Sequence, residues 1–264
     1  MKVLIATLNY NAPKLMDDLW ASLKKQMGHL KNWHFYVREN SDKDVWAPEA
    51  DDRLTVAKWE NKGNYASMYN DLVRTGVTDG YDFILQLNND TIAINDFLSP
   101  MLKIFKNDDE VGAVGARLFY PNGHLQHAGI FIHDDLMPYN VNEYSIRKLN
   151  LWPGLQAFNR EYQAVTGACH LMKVEDYRAL NGMDEKFNWC FDDVDLGIRI
   201  NQELKKKCVY SCDSQLVHIE NYSTLKNPTN LKPNLREAFV YLKQKHGKNL
   251  KSDSFYYTMD YGRH

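Results

Sequence analysis

Short apolar runs alternate with amphipathic stretches through the first half of the chain, and this alternation restricts the possible folds more than any other feature. The apolar runs at residues 3–8, 33–38, 54–59 and 81–87 have the length of buried strands. Between them, residues 13–27 and 65–75 carry apolar side chains at helical spacing. Strands that alternate with helices are typical of βα units around a mostly parallel sheet. The sequence therefore predicts an α/β fold with a Rossmann-like first half.

The second half carries more strand patterns than the first, which predicts that the sheet becomes mixed. Strands are predicted at residues 111–120, 125–132, 162–173 and 208–219, and helices at 174–180, 193–206 and 233–246. Ser99 and Pro100 predict the cap and the first residue of a helix that continues through Lys106. Residues 133–160 have weak periodicity and contain prolines, so we expect a long functional loop or a partial lid there.

Length and charge exclude several classes of protein. A chain of 264 residues fits one large domain, and no apolar run approaches the roughly 18 residues that a membrane span needs. The N-terminus enters a strand pattern at once, so we expect a cytoplasmic protein without a signal peptide or a transmembrane segment. The net charge of −2 does not indicate nucleic-acid binding. The four cysteines lack the spacing of a zinc site or a disulfide framework.

The apolar run that ends at Leu87 is followed by Asn88, Asn89 and Asp90. In open α/β sheets, ligands bind at the carboxyl ends of the strands. The Asp90 carboxylate could bind Mg²⁺ or Mn²⁺ together with diphosphate oxygens, and the two amides could contact a ribose or water. The alternative is a turn that only ends the strand.

Polar residues also follow the other predicted strands of the first half. They are Thr7 and Asn9 after the first strand, Glu39 and Asn40 after the second, and Asn61, Gly63 and Asn64 after the third. A carboxylate can accept a hydrogen bond from a base N–H, while Asn and Thr side chains can bind ribose or base edges. Each residue alone is typical of a turn, but together they predict a nucleoside pocket.

Three acids, Asp192, Asp193 and Asp195, begin a helical pattern. Asp192, Asp195 and Arg199 share one helical face, so at least one acid is expected to be structural, whereas Asp193 points elsewhere. A carboxylate near a helix N-terminus is expected to stay ionised, which suits a general base that deprotonates an acceptor hydroxyl. Helix capping alone is the alternative explanation.

A histidine, His218, lies near the end of the last strand pattern. Single histidines on strands are usually packed in the core, but a neutral ring nitrogen here could supply a second metal ligand. The polar residues 221–224 follow it and could close over a diphosphate.

Six motifs occur in a defined order along the chain. They are Thr7-x-Asn9, Glu39-Asn40-Ser41, Asn61-x-Gly63, Leu87-Asn88-Asn89-Asp90, Asp192-Asp193-x-Asp195 and His218. This series resembles family 2 glycosyltransferases with the GT-A fold, and Gln126-His127-Ala128-Gly129 looks like a connecting motif of bacterial and phage sugar transferases. The resemblance covers about residues 1–225. It implies a nucleotide-binding half at 1–110, an acceptor half at 111–225 and a C-terminal helical extension at 226–264.

The resemblance also implies roles for single residues. Asp90 matches the metal-binding last residue of the family's DxD-type motif, Asn89 lies near the ribose, and His218 matches a histidine that completes the metal site in some members. Glu39 stands where the family usually has an Asp that reads the base. Asp193 matches the catalytic base.

Two departures from the family pattern leave questions open. Asn88 replaces the first acid of the DxD-type motif, so the metal has fewer carboxylates. Asp192 replaces the Glu that usually precedes the base, so the choice between Asp192 and Asp193 stays open.

The resulting hypothesis is an inverting transfer that depends on Mn²⁺ or Mg²⁺. The donor is a nucleotide-diphosphate sugar, with UDP as the first expectation and dTDP as the second, and the acceptor is a glycan or another hydroxyl-bearing molecule. A sugar nucleotidyltransferase is one alternative, although no Gly-rich basic loop follows the first strand. A non-catalytic saccharide- or nucleotide-binding module with the same fold is the other. The motifs GxGxxG and GxxxxGK are absent, which disfavours a dehydrogenase and a P-loop NTPase.

Overall fold

The computed structural model describes residues 1–60, 63–187, 190–220 and 235–259. The strands are β1 (Val3–Asn9), β2 (Trp33–Glu39), β3 (Leu54–Lys58), β4 (Phe83–Leu87), β5 (Thr91–Ala93), β6 (Val111–Phe119), β7 (Leu125–His127), β8 (Ile130–Ile132), β9 (Pro138–Asn140), β10 (Arg160–Tyr162), β11 (Cys169–Lys173) and β12 (Lys207–His218). The helices are α1 (Pro13–Met27), α2 (Tyr65–Arg74), α3 (Leu98–Asn107), α4 (Glu143–Lys148), α5 (Val174–Ala179), α6 (Asp192–Glu203) and α7 (Leu235–His246). Short 3₁₀ helices cover Leu155–Ala157, Gly247–Asn249 and Ser254–Tyr256.

Four parallel strands form the first half of the sheet, as the sequence predicts. β1 lies between β2 and β4, and β3 pairs with the other side of β2. Because the carboxyl ends of parallel strands meet at one edge of a sheet, the polar residues after β1, β2 and β4 lie side by side.

The second half extends this sheet with antiparallel pairs, which confirms the predicted mixed sheet. The ten-stranded sheet has the path β10-β12-β6-β11-β4-β1-β2-β3, with β5 paired to β12 and β7 paired to β6. β11 is antiparallel to both β4 and β6. The β5–β12 register sets His218 opposite Thr91, so the pairing brings His218 beside Asp90.

Hydrophobic side chains cover both faces of the sheet because neighbouring residues of a strand point to opposite sides. Val3 and Ile5 pack in the cluster that contains residues of α1 and α3. Leu4 and Ile84 pack in a second cluster with residues of α2, α5 and α6. Full burial of one such side chain contributes about 1.5–3 kcal/mol, so the two clusters fix the sheet between its helices.

Helix α1 shows how closely local sequence sets an element. Pro13 begins it, where the missing N–H costs nothing, and Gly28 follows its last residue. The apolar residues at helical spacing are all buried, and they are Leu15, Met16, Leu19, Trp20, Leu23 and Met27. The predicted helix is confirmed.

The predicted cap of α3 is wrong. The helix begins at Leu98 rather than at Pro100, and the side chain that caps it belongs to Asp96. Its two carboxylate oxygens accept from the Ser99 backbone N–H at 3.1 Å and from the Ser99 hydroxyl at 2.7 Å. An acid three residues earlier therefore takes the role that was predicted for Ser99.

Two predicted strands are broken by turns. The run 125–132 divides into β7 and β8 because Gly129 has a φ of 111°, and a Cβ there would collide with the Tyr162 ring. The run 162–173 keeps strand structure only in β10 and β11, and residues 163–168 between them form a turn region. Both breaks lie beside the site described below.

Residues 133–160 are more regular than the predicted long loop. They contain β9, α4 and a 3₁₀ helix. Asn142 and Ser145 form a capping box at the start of α4, which explains why a segment with weak periodicity holds a helix. Whether it acts as a lid stays a prediction.

Helix α7 packs against β8 and α6. Leu242 is buried in a cluster with Ile130 and Ile198, and the Tyr241 hydroxyl donates to Asp184 at 2.8 Å. The boundary predicted at residue 225 lies outside the described residues, so the domain division stays a prediction. No helix in the described part of the chain is long and apolar enough to cross a membrane.

Candidate active site

The carboxyl ends of β1, β2 and β4 are joined by a chain of side-chain hydrogen bonds. The Asn89 amide donates to Asn9 Oδ1 at 3.2 Å, and the Asn9 amide donates to Glu39 Oε2 at 2.8 Å. Three of the predicted nucleotide-site residues, from three different strands, are therefore in contact. This row forms a polar wall at the carboxyl ends of the strands.

Glu39 and Thr7 are buried within this wall. The Glu39 carboxylate also accepts from the backbone N–H groups of Ser41 at 2.8 Å and Trp46 at 3.2 Å. The Thr7 hydroxyl donates to the Leu87 carbonyl at 2.9 Å. Both side chains thus fix the strand ends and the loop after β2, and base recognition by Glu39 stays a prediction.

The other predicted nucleotide-site residues have structural contacts of their own. The Asn40 amide donates to the Trp59 carbonyl at 3.1 Å. Asn64 caps α2 by accepting from the Ser67 N–H, and its amide donates to the Glu185 carbonyl at 2.6 Å. Gly63 precedes this cap, and a Cβ there would collide with the Ser67 hydroxyl. Asn61 lies outside the described residues, as do 221–224.

The two predicted metal ligands meet at the end of β4. Asp90 Oδ1 lies 3.1 Å from His218 Nε2, and the two side chains are 13% and 12% exposed. The Asn88 amide lies 3.4 Å from the same ring nitrogen. The Ile219 N–H also donates to the Asp90 carbonyl at 2.9 Å, so backbone and side chains hold the pair together.

This pair fits a hard divalent cation. Neighbouring ligands of an octahedral ion with bonds of about 2.1 Å lie about 3 Å apart, which agrees with the observed separation of Asp90 and His218. Carboxylate oxygen and imidazole nitrogen are both suitable donors for Mn²⁺. No group of three His, Cys, Asp or Glu side chains forms a metal site in the part of the chain that the structure describes. A cation here would take its remaining ligands from diphosphate oxygens and water.

Asp193 is connected to this pair through a short backbone path. Its Oδ2 accepts from the Gly167 N–H at 3.0 Å, and its Oδ1 accepts from the Val194 N–H at 2.8 Å. The carbonyl of Ala168, the residue after Gly167, accepts from the Asn88 N–H at 3.0 Å. The turn between β10 and β11 therefore connects the candidate base to the residue that contacts His218.

The first two acids of α6 are removed from water to different degrees, since Asp192 is buried and Asp193 is half-buried. Burial, together with the neighbouring charge of Asp193, raises the pKa of Asp192 to about 7. Burial also raises the pKa of Asp193, although two backbone N–H groups donate to it. Desolvation at both carboxyls therefore opposes the effect of the helix N-terminus, which favours the ionised form, and the role of these acids stays a prediction.

Asp195 has the structural role that was predicted for one of the acids. It bonds Arg199 Nε at 2.8 Å, His246 Nε2 at 2.8 Å and Lys245 Nζ at 2.6 Å. Burial works to raise its pKa, but these partners outweigh burial, so the pKa of Asp195 is lowered. Helix α7 is thereby attached to the helix that carries the candidate base.

Two residues of the site had no predicted role. Gln126 Oε1 lies 2.8 Å from His218 Nδ1, and the Tyr65 hydroxyl donates to the Gly167 carbonyl at 2.8 Å. A polar side chain in a strand pattern is the signal that could have identified Gln126. Tyr65 begins a helical pattern and has no sequence feature that separates it from a core residue.

Comparisons with known sequences place the chain beside bacterial proteins that are much longer. No family model matches it. It is 30% identical over 235 residues to the O-antigen biosynthesis protein RfbC of Myxococcus xanthus, a match that covers 84% of this chain and 18% of that protein. It is also 30% identical over 161 residues to the uncharacterized protein y4gI of Sinorhizobium fredii, covering 57% of this chain and 16% of that protein. The chain thus spans less than a fifth of these relatives.

Comparisons with solved structures identify the fold. GalNAc-T7 with UDP, GalNAc and Mn²⁺ matches with a TM-score of 0.68 and 11% identity, over 93% of this chain and 48% of that one. The mannosyltransferase PcManGT of Pyrobaculum calidifontis, in complex with GDP-Man and Mn²⁺, matches with a TM-score of 0.57 and 12% identity. That match covers 94% of this chain and 70% of the other. The chain therefore has the GT-A glycosyltransferase fold, which is consistent with the resemblance of its motifs to family 2 glycosyltransferases.

Proposed function

We propose that the chain transfers a sugar from a nucleotide-diphosphate donor to an acceptor hydroxyl, with help from a divalent cation. The observation that carries the proposal is the 3.1 Å approach of Asp90 Oδ1 to His218 Nε2 at the carboxyl end of β4. Asp193 lies on the adjoining turn. The similar solved structures hold UDP or GDP-Man together with Mn²⁺, which supports the same class of donor here.

In this proposal Asp90 and His218 hold the cation against the donor diphosphate. The bound cation would supply positive charge that stabilises the departing nucleoside diphosphate. The polar wall of Asn9, Glu39 and Asn89 then faces the nucleoside. These residues orient the donor so that its anomeric carbon is directed toward the acceptor.

Asp193 is the proposed general base. It takes the proton of the acceptor hydroxyl while that oxygen bonds to the anomeric carbon. The bond from this carbon to the diphosphate oxygen breaks in the same displacement, and the nucleoside diphosphate leaves with the electron pair. One displacement inverts the anomeric centre and needs no covalent intermediate. A raised pKa favours this role because it increases the affinity of the carboxylate for the proton.

The comparisons and the chemistry of the site favour particular classes of donor and acceptor. UDP sugars are the first expectation and dTDP sugars the second, and the mannosyltransferase complex adds GDP sugars to the set worth testing. The relative named for O-antigen biosynthesis favours a saccharide as acceptor. Cytoplasmic action fits such donors and belongs to the same proposal.

The test is Asp193→Asn in an assay with Mn²⁺ and UDP, dTDP or GDP sugars. We expect release of nucleoside diphosphate to fall about 10²–10⁴-fold, because the variant loses the base. Binding of the nucleotide with Mn²⁺ should stay within about twofold of wild type, because Asp193 is not a metal ligand. Asp109→Asn, an exposed position before β6, is the control and should leave both unchanged.

Asp192→Asn in the same assay decides which acid is the base. If Asp192→Asn removes turnover and Asp193→Asn does not, the role belongs to Asp192. Loss of nucleotide binding in Asp193→Asn would contradict the assignment. Lack of donor turnover by the wild type with every nucleotide sugar would favour a binding module instead.

A further inference from the structure

Strand β7 carries two consecutive buried polar residues, although neither has a part in the reaction above. Gln126 and His127 are 6% and 1% exposed. Neighbouring residues of a strand point to opposite sides, so one short strand can reach two different places. Buried polar groups of this kind are normally satisfied by specific partners.

The Gln126 side chain contacts the proposed metal ligand. Its Oε1 accepts from His218 Nδ1 at 2.8 Å, and its amide donates to the His218 carbonyl at 3.3 Å and to Glu220 Oε2 at 3.2 Å. Because a carbonyl oxygen only accepts, the ring hydrogen of His218 lies on Nδ1. In the neutral tautomer that this bond allows, the lone pair of Nε2 is directed at Asp90, which is the arrangement a cation requires.

The His127 side chain contacts the turn that holds the proposed base. Its Nδ1 lies 2.6 Å from Asn140 Oδ1, and its Nε2 accepts from the N–H groups of Gly129 at 3.2 Å and Thr166 at 3.4 Å. Burial lowers the pKa of His127 to about 4, so the neutral ring keeps an acceptor nitrogen. Thr166 directly precedes Gly167, whose N–H donates to Asp193.

We infer that Gln126 and His127 are positioning residues with separate tasks, one for each half of the site. Gln126 sets the tautomer and orientation of His218 for the cation. His127 sets the Thr166–Gly167 turn that holds Asp193. The inference rests on the proposed function, since it requires a cation at Asp90 and His218 and a base at Asp193. Neither residue touches the reacting atoms.

Gln126→Met tests the first task by removing the acceptor with little change in size. We expect the Kd for Mn²⁺, measured by titration of the free-Mn²⁺ EPR signal with UDP or GDP present, to rise about 10–100-fold. The affinity for the nucleotide without metal should not change. Gln26→Met, which makes the same change on α1 away from the site, is the matched control and should keep the wild-type Kd.

His127→Asn tests the second task, because the shorter amide does not reach the position of Nε2. We expect kcat for donor consumption to fall about tenfold or more, while KM and the Kd for Mn²⁺ stay at wild-type values, because small misplacements of a base are costly. His127→Gln, which returns an acceptor at the distance of Nε2, should recover most of kcat.

The outcomes separate this inference from the proposed function. A wild type that binds no Mn²⁺ with either nucleotide would contradict the proposed function itself. A wild type that binds, with Gln126→Met equal to it, would overturn the task of Gln126. If Gln126→Met and His127→Asn each lost Mn²⁺ affinity and kcat to the same extent, the division of tasks between the two residues would be overturned. If Gln126→Met does not fold, Gln126→Asn takes its place, because the shorter amide withdraws the acceptor from His218 Nδ1, and a wild-type Kd for Mn²⁺ in that variant would overturn the task of Gln126.

Discussion

Aspartates in two parts of the candidate site are held in different environments. At the metal corner, formed by Asn88, Asp90, Gln126 and His218, the facing ligands keep partial contact with solvent. At the base corner, formed by Gly167, Asp192 and Asp193, burial raises the pKa of both carboxyls. One corner is arranged to receive a cation, and the other has an increased affinity for a proton.

A fourth aspartate shows that burial alone does not set this difference. Asp195 is fully buried, yet its pKa is lowered because cationic and imidazole partners outweigh burial. The bonds to Asp193 come instead from backbone N–H groups, which donate without a full charge. Within one turn of α6, the partners of each carboxyl decide whether it anchors the fold or is suited to take a proton.

The largest expected effect concerns this anchoring aspartate. Asp195→Ala removes the shared partner of Arg199, Lys245 and His246, and it leaves the buried Arg199 guanidinium without its carboxylate. We expect the free energy of unfolding to fall by about 3–5 kcal/mol in urea or guanidinium unfolding. Asp109→Ala, an exposed control, should change it by less than about 0.5 kcal/mol. A loss below about 1 kcal/mol for Asp195→Ala would mean that the contact between α6 and α7 contributes little to the free energy of unfolding.

A smaller effect, with a defined pH dependence, is expected at the base corner. The pKa of Asp192 is near 7 in the folded protein, above its ordinary value of 3.8, so folding favours the protonated form. The stability that this group contributes is present below pH 3.8 and is lost as the pH rises through 7. Asp192→Asn avoids the buried charge, so it should stabilise the fold by on the order of 2 kcal/mol at pH 8.

Urea unfolding of Asp192→Asn at pH 8 and pH 4.5 measures this difference. Most of the gain over wild type should be absent at pH 4.5, where folded wild type already carries the proton. Destabilisation at pH 8, or an equal gain at both pH values, would show that burial does not control this carboxyl.

Much of the fold follows from local sequence. The apolar spacing of α1 and the runs that form β1, β2 and β4 are visible in the chain because burial on these faces depends on periodicity. The position of Asp90 after β4 follows from the same pattern. Its approach to His218 does not, since it depends on the antiparallel register of β5 with β12.

Other features are decided by tertiary contacts that spacing does not reveal. Gly129 breaks a predicted strand because the Tyr162 ring occupies the space where a Cβ would lie. Asp96 caps α3 in place of Ser99 because its carboxylate accepts from the Ser99 N–H in the first turn of the helix. The raised pKa of Asp192 depends on how completely water is excluded, which the position at a helix N-terminus does not determine.

The central claim is that Asp90 binds a cation tightly only together with a nucleoside diphosphate. Titration of Mn²⁺ in the presence and absence of UDP or GDP, with wild type and Asp90→Asn, tests it most directly. We expect wild type to bind Mn²⁺ weakly alone and at least tenfold more tightly with the nucleotide, and Asp90→Asn to lose this gain. Tight Mn²⁺ binding without nucleotide, or an unchanged gain in Asp90→Asn, would contradict the claim.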